Sequence, residues 1–213
     1  MENKVELGTQ GLVVETTGLA RDGHMELRAS VDKTDLLPDC HAFLRFVVTY
    51  LAQTGASILS GQTVAYGYWL VKFQALENTP YLDVWEYQAD ATAFVEGVSL
   101  TPQYWREQHA TCDKAGAPFT PPRPDQMVAV SDGVYEGEPI QGIRYPSPQH
   151  MSGWWMTTDR YNGDVKTLQV VHLYHLTCKR PDLAKYIALS PGYRFSSNPE
   201  VIRFDQTVAT QSR

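Results

Sequence analysis

Ala117-Pro-Phe-Thr-Pro-Pro-Arg-Pro124 carries four prolines in eight residues. Each proline fixes φ near about −65° and lacks an N–H, so the run can neither continue a helix nor sit inside a sheet. The chain must cross it extended, which makes it the strongest boundary in the 213 residues. It separates an acidic α+β part, residues 1–116, from a second α+β part, residues 126–213, with 117–125 as a Pro-rich connector. A connector this short and stiff keeps its neighbours touching. The expected fold class is therefore α+β, with antiparallel sheets and packed helices in two closely associated parts.

The first part alternates in a readable way. Asp22-Gly23 is a hairpin signal between Leu12–Glu15 and His24–Val31, and it places Met25, Leu27, Ala29 and Val31 on a core face. His24 reads as a surface turn residue. Cys40, Leu44, Val47, Val48 and Leu51 follow helical spacing from Pro38-Asp39 to Gly55, and Phe43, Phe46 and Tyr50 widen the apolar face enough to imply cover on a second side. Val64–Phe73 and Tyr81–Gln88 form an expected antiparallel pair through Asn78-Thr-Pro80. Tyr66, Tyr68, Trp69, Tyr81, Trp85 and Tyr87 make that pair aromatic, either as core or as a binding surface. Thr101-Pro102 reads as an N-cap followed by proline at the first helical position, opening a helix that runs to Ala115.

Composition narrows the function classes. With 43% hydrophobic and 20% charged residues the chain is an ordinary globular one, and no apolar run reaches the roughly twenty residues of a membrane helix. Met1–Glu6 lacks the basic-then-apolar order of a signal peptide, so the expected location is cytoplasmic. Three cysteines without C-x-x-C spacing argue against a disulfide framework. Residues 1–120 hold 15 acidic against 8 basic side chains, and residues 121–213 hold 9 against 10. An acidic first half disfavours nucleic acid and could steer a basic protein partner.

The second part centres on Ser152–Phe195. Gly153-Trp154-Trp155-Met156-Thr157 suits a strand that places its two indoles on opposite faces, one of them buried. Asn162-Gly163 is a tight-turn pair, and Pro181 opens a helical turn with Leu183, Tyr186 and Ile187 on one face before Pro191-Gly192 stops it. Short strands are expected near Met127–Val130 and Ile140–Tyr145, with Val201–Phe204 as an edge strand.

Ser131, Gly137, Arg144 with Pro146, Ser152-Gly153-Trp154, Pro181 and Pro191-Gly192 stand in an order that resembles the bacterial immunity proteins numbered thirty-three, over about residues 125–196. That resemblance implies a protein of polymorphic-toxin systems, one that neutralises a cognate secreted toxin by occlusion and not by chemistry. The family's usual acidic run after the tryptophan is reduced here to Asp159 and Asp164, with Arg160 between them. Trp155, Asp159, Arg160, Tyr161 and Asp164 are the expected partner-binding residues, because a polar loop beside an indole has the composition of a binding patch.

Chemistry finds little purchase. His172-x-x-His175-x-x-Cys178 gathers three ligands neither on a helix nor on a strand, so no metal is expected. There is no G-x-S-x-G elbow and no phosphate loop, and no catalytic residue or cofactor is assigned. The alternatives are a small-molecule-binding protein or enzyme using an aromatic pocket in the first half, and an adaptor displaying the P-x-x-P spacing of Pro121 and Pro124.

Overall fold

The computed structural model describes residues 5–211. Residues 1–4, on which the reading against a signal peptide partly rests, and the last two residues of the polar tail lie outside the described residues. The chain divides into two units, Met1–Arg106 and Glu107–Arg213.

The first unit contains β1 (Glu6–Gln10), β2 (Val13–Thr17), β3 (Glu26–Ser30), α1 (Leu37–Thr54), β4 (Thr63–Tyr66), β5 (Trp69–Ala75), β6 (Tyr81–Tyr87) and β7 (Phe94–Glu96), and enters α2 (Leu100–Ala115), inside which the division falls. Its sheet runs β1-β2-β3-β6-β5-β4, with β7 added to β6. Leu27, Ala29 and Val31 enter the core as their alternation requires, although Met25 stays 37% exposed. β3 and β6 are parallel, which corrects the all-antiparallel expectation. The physical reason is α1, since the helix after β3 carries the chain back across the sheet to enter β4 at the far edge, and the antiparallel steps β4–β5 and β5–β6 then bring β6 beside β3 in the same direction.

Two local readings change as well. The single strand expected over residues 64–73 is β4 and β5, reversed at Gly67 with φ 63°. The aromatic set therefore splits: Tyr66, Tyr68 and Trp69 are core, while Tyr81, Trp85 and Tyr87 are half-buried. On α1, Phe43 is buried but Phe46 and Tyr50 remain 42% and 44% exposed, so the expected second layer does not form over them among the described residues.

The start of α2 is not capped by Thr101. The Glu86 carboxylate on β6 accepts the N–H groups of Ser99, Leu100 and Thr101 at 2.8, 2.8 and 2.7 Å. A strand side chain thus satisfies the orphan amides of a helix that begins fourteen residues further on. Burial pushes the Glu86 carboxyl above its ordinary range, and the three donors pull against that rise.

The second unit contains the rest of α2, then β8 (Met127–Val130), β9 (Gln141–Arg144), β10 (Met151–Thr157), β11 (Gln169–His172), α3 (Leu173–Lys179), a 3-10 segment Pro181–Tyr186, β12 (Tyr193–Ser197), β13 (Glu200–Phe204) and α4 (Gln206–Thr210). Strand order is β11-β8-β10-β9-β12-β13, and β8 and β10 are again a parallel pair. The β9–β10 hairpin folds back so that β10 inserts between β8 and β9, which makes its second neighbour parallel. Leu183, Tyr186, Ile187 and Phe195 are all buried, as their spacing implied.

The proline run is packed within this second unit. The Thr120 N–H donates to the Ala188 carbonyl at 2.8 Å and the Tyr174 N–H to the Pro124 carbonyl at 3.1 Å, while Pro122 and Pro124 are buried. A P-x-x-P segment held this way presents no free polyproline face, so the adaptor reading loses its ligand.

Candidate protein-docking face

The residues that carried the family resemblance are mostly buried. Gly153 has φ 81°, and a Cβ there would lie 2.1 Å from the Tyr145 carbonyl oxygen. Only glycine fits, and the register of β10 shifts across this point. The Ser152 hydroxyl donates to the Met127 carbonyl at 2.8 Å and ties β10 to β8. The Trp154 indole is fully buried and donates to the Ile187 carbonyl at 2.9 Å. Arg144, 5% exposed, donates to the carbonyls of Ser152, Thr120, Ile187 and Leu189 at 2.6–3.2 Å. Burial lowers its pKa to about 10, so it stays charged near neutrality as a clamp joining β10, the proline run and the segment after Tyr186. These groups build the unit and leave little of themselves for a partner.

The opposite face of the same sheet is different. One cross-strand row traverses all six strands: Val170 faces Ala129, Ala129 faces Trp155, Trp155 faces Ile143, Ile143 faces Arg194, and Arg194 faces Arg203. Residues in register share a face. The intervening rows carry Val128, Val130, Trp154, Met156 and Phe195 into the core under the unit's helices. Val170 is 53% exposed and Trp155 half-buried, its ring edge-to-face with Tyr145 at 5.8 Å.

Two hollows lie on this surface. One, of about 370 Å³, is lined by Ala129, Met151, Gly153, Trp155, Val165 and Val170 among others. Ala129 and Gly153 are the small residues of its lining. The other, of about 290 Å³, is lined by Ile143, Arg194, Ser196, Val201 and Arg203 among others. Arg194 donates to Asp205 at 2.8 Å, and the exposed Arg203 has no carboxylate partner among the described residues.

Of the five residues expected at the interface, Trp155 lies on this face. Val165 and Leu168 line its groove, while Asp159, Arg160 and Tyr161 do not. Arg160 pairs with Glu138, and its N–H donates to the Thr158 hydroxyl. Tyr161 is half-buried with its N–H on the Thr158 carbonyl. Exposed Asp164 accepts the Lys166 N–H at 3.0 Å and caps the short turn Val165–Thr167. Asp159 is exposed. The other members of this row, Ala129, Ile143, Val170, Arg194 and Arg203, were not singled out in the sequence. Each is ordinary in its own strand, and only the register gathers them.

Elsewhere the chemistry is sparse. Among the described residues no group of three or more His, Cys, Asp or Glu side chains is placed to hold a metal ion. His172 ends β11 and His175 lies on α3, their rings 5.7 Å apart. No helix is long and apolar enough among the described residues to cross a membrane. In the first unit the open sheet face carries a self-contained polar network. Arg28 binds Asp83 through two bonds of 2.5 and 3.0 Å, Tyr81 donates to Glu15 at 3.3 Å, and Arg28 lies 4.9 Å from the Tyr81 ring centre. Glu26, which alternation would leave free on the solvent side, accepts from the Thr16 hydroxyl and from the N–H groups of Gly18 and Ala20.

The architecture defines an α+β protein whose second unit has helices on one face of a mixed sheet and an open, half-apolar face on the other. Residues 107–205, almost the whole of that unit, match the model of the Imm33-like domain. Neither the curated proteins nor the solved structures gave a match to this chain.

Proposed function

We propose that this protein is an immunity protein that binds a cognate bacterial toxin in the cytoplasm and neutralises it by covering a functional surface, with no chemistry of its own. The observation that carries the reading is the Imm33-like match over residues 107–205, the unit with the open apolar sheet face. Trp155 is the anchor of that face, and Asp159, Arg160, Tyr161 and Asp164 form the loop at its border. A neutralising contact would bury on the order of 1,200–2,000 Å² in total.

The test is rescue. If a gene beside this one encodes a secreted protein with a C-terminal toxin domain, cells expressing that domain should survive when the wild-type protein is co-expressed, and the two purified proteins should bind below micromolar concentration. Failure of both would end the immunity reading. It would return attention to the small-molecule reading of the first unit, where the half-buried Tyr81, Trp85 and Tyr87 are the residues to probe.

A further inference from the structure

The row from Val170 to Arg203 is polarised. Its β11 end is a slot with a small-residue floor and apolar walls, and its β13 end is cationic. We infer that the partner's contact patch is the converse: one protruding aromatic or branched aliphatic side chain that enters the slot between Trp155 and Val170, with carboxylates set to one side of it that meet Arg194 and Arg203. This inference rests on the immunity reading and names the chemistry of the toxin surface.

Three observations carry it. The slot is lined by the small residues Ala129 and Gly153 together with Met151, Trp155, Val165 and Val170. Exposed apolar side chains that cluster in this way mark an interaction site more than a solvated surface does. The cations complete the polarity, because Arg203 has no carboxylate partner among the described residues and Arg194 shares only Asp205.

Strand spacing sets the scale. From the slot floor on β8 to Arg194 on β12 is three strand steps and to Arg203 on β13 is four, or roughly 14–19 Å at about 4.8 Å per step. The partner's carboxylates should lie at that distance from its apolar knob.

Binding of the neighbouring toxin domain to the wild-type protein is compared with Val170→Glu, the milder Val170→Ser, Arg203→Glu, and Glu96→Lys on the first unit. All three positions are exposed, so melting temperatures should stay near wild type. Val170→Glu should weaken binding at least tenfold through faster dissociation, and Val170→Ser a fewfold. Arg203→Glu should slow association at least fivefold and reduce the loss of rate with added salt. Glu96→Lys should change affinity less than twofold. If the wild type binds but the Val170 and Arg203 variants bind like it, the polarised face is not the docking surface, although immunity stands. If Glu96→Lys alone weakens binding, docking belongs to the first unit. If the wild type does not bind at all, this inference falls together with the function it rests on.

Discussion

The two sheets share a plan and differ on their open faces. Each packs helices against one side, but the first fills its other side with groups that satisfy one another, Arg28 with Asp83 and Tyr81 with Glu15. The second leaves Trp155, Val170 and Arg203 at the surface in a row that ends in a cation without a partner among the described residues. Net charge follows the same division. Residues 1–106 hold 13 acidic against 7 basic side chains and residues 107–213 hold 11 of each, so the whole of the −6 resides in the first unit. A network that closes on itself stabilises its own sheet, whereas an incomplete one gains from a partner. Charge excess alone does not mark the docking face.

The largest effect should come from the clamp beneath the second face. Arg144→Leu removes the donor from four carbonyls and should cost about 3–5 kcal/mol of folding free energy, read from denaturant unfolding of the full chain. Arg144→Lys should recover little, because an ammonium cannot reproduce the guanidinium fork. A near-neutral result would mean that the carbonyls find other donors and that the motif arginine is not architectural.

Next in size is Trp155→Ala. It should cost about 2 kcal/mol or more of toxin binding, mainly through dissociation, while destabilising the free protein far less than Trp154→Ala, which should cost about 3–5 kcal/mol. Equal folding costs at the two positions would erase the distinction between the buried and open faces of β10. A smaller effect is expected in the first sheet. Asp83→Asn breaks the two-bond pair with Arg28 and should cost about 1–2 kcal/mol of stability without changing toxin affinity.

The smallest effect concerns Glu200, which accepts from Lys185 at 2.7 Å, from the Tyr186 hydroxyl and from Lys114 at 3.1 Å. Those donors lower its pKa from 4.5 to about 2, with Lys185 the largest cause. Because the folded value is depressed, the stabilisation is complete above about pH 4.5 and fades as the pH falls towards 2. Partial exposure screens it, so Glu200→Gln should only slightly flatten an acid titration of stability. An acid limb identical to wild type would show that the pair contributes nothing measurable.

Much of this arrangement was legible in the chain. Spacing identified α1, the β12 aromatic, the edge strand β13 and the paired indoles, because the side chains alternate or recur on the period of their element. The resemblance also pointed to the right segment. Its motif positions say less about a partner, since Arg144, Ser152 and Trp154 are buried. The expectation for the loop after Trp155 rested on its local polarity. Arg160 and Asp164 have local duties with Glu138 and Lys166, and the surface around Trp155 comes from β8, β9, β11 and β12 instead.

What the sequence determined by itself was the local grammar: where the chain must extend through its prolines, where Asn162-Gly163 turns, and which face of each strand is apolar. These follow from dihedral limits and side-chain period, which are properties of neighbouring residues. The tertiary structure alone decided the parallel pairs, the capping of α2 by Glu86, and the row from Val170 to Arg203. Those depend on which strands become neighbours and in what register, a choice set by packing between residues tens of positions apart that no short window of sequence contains.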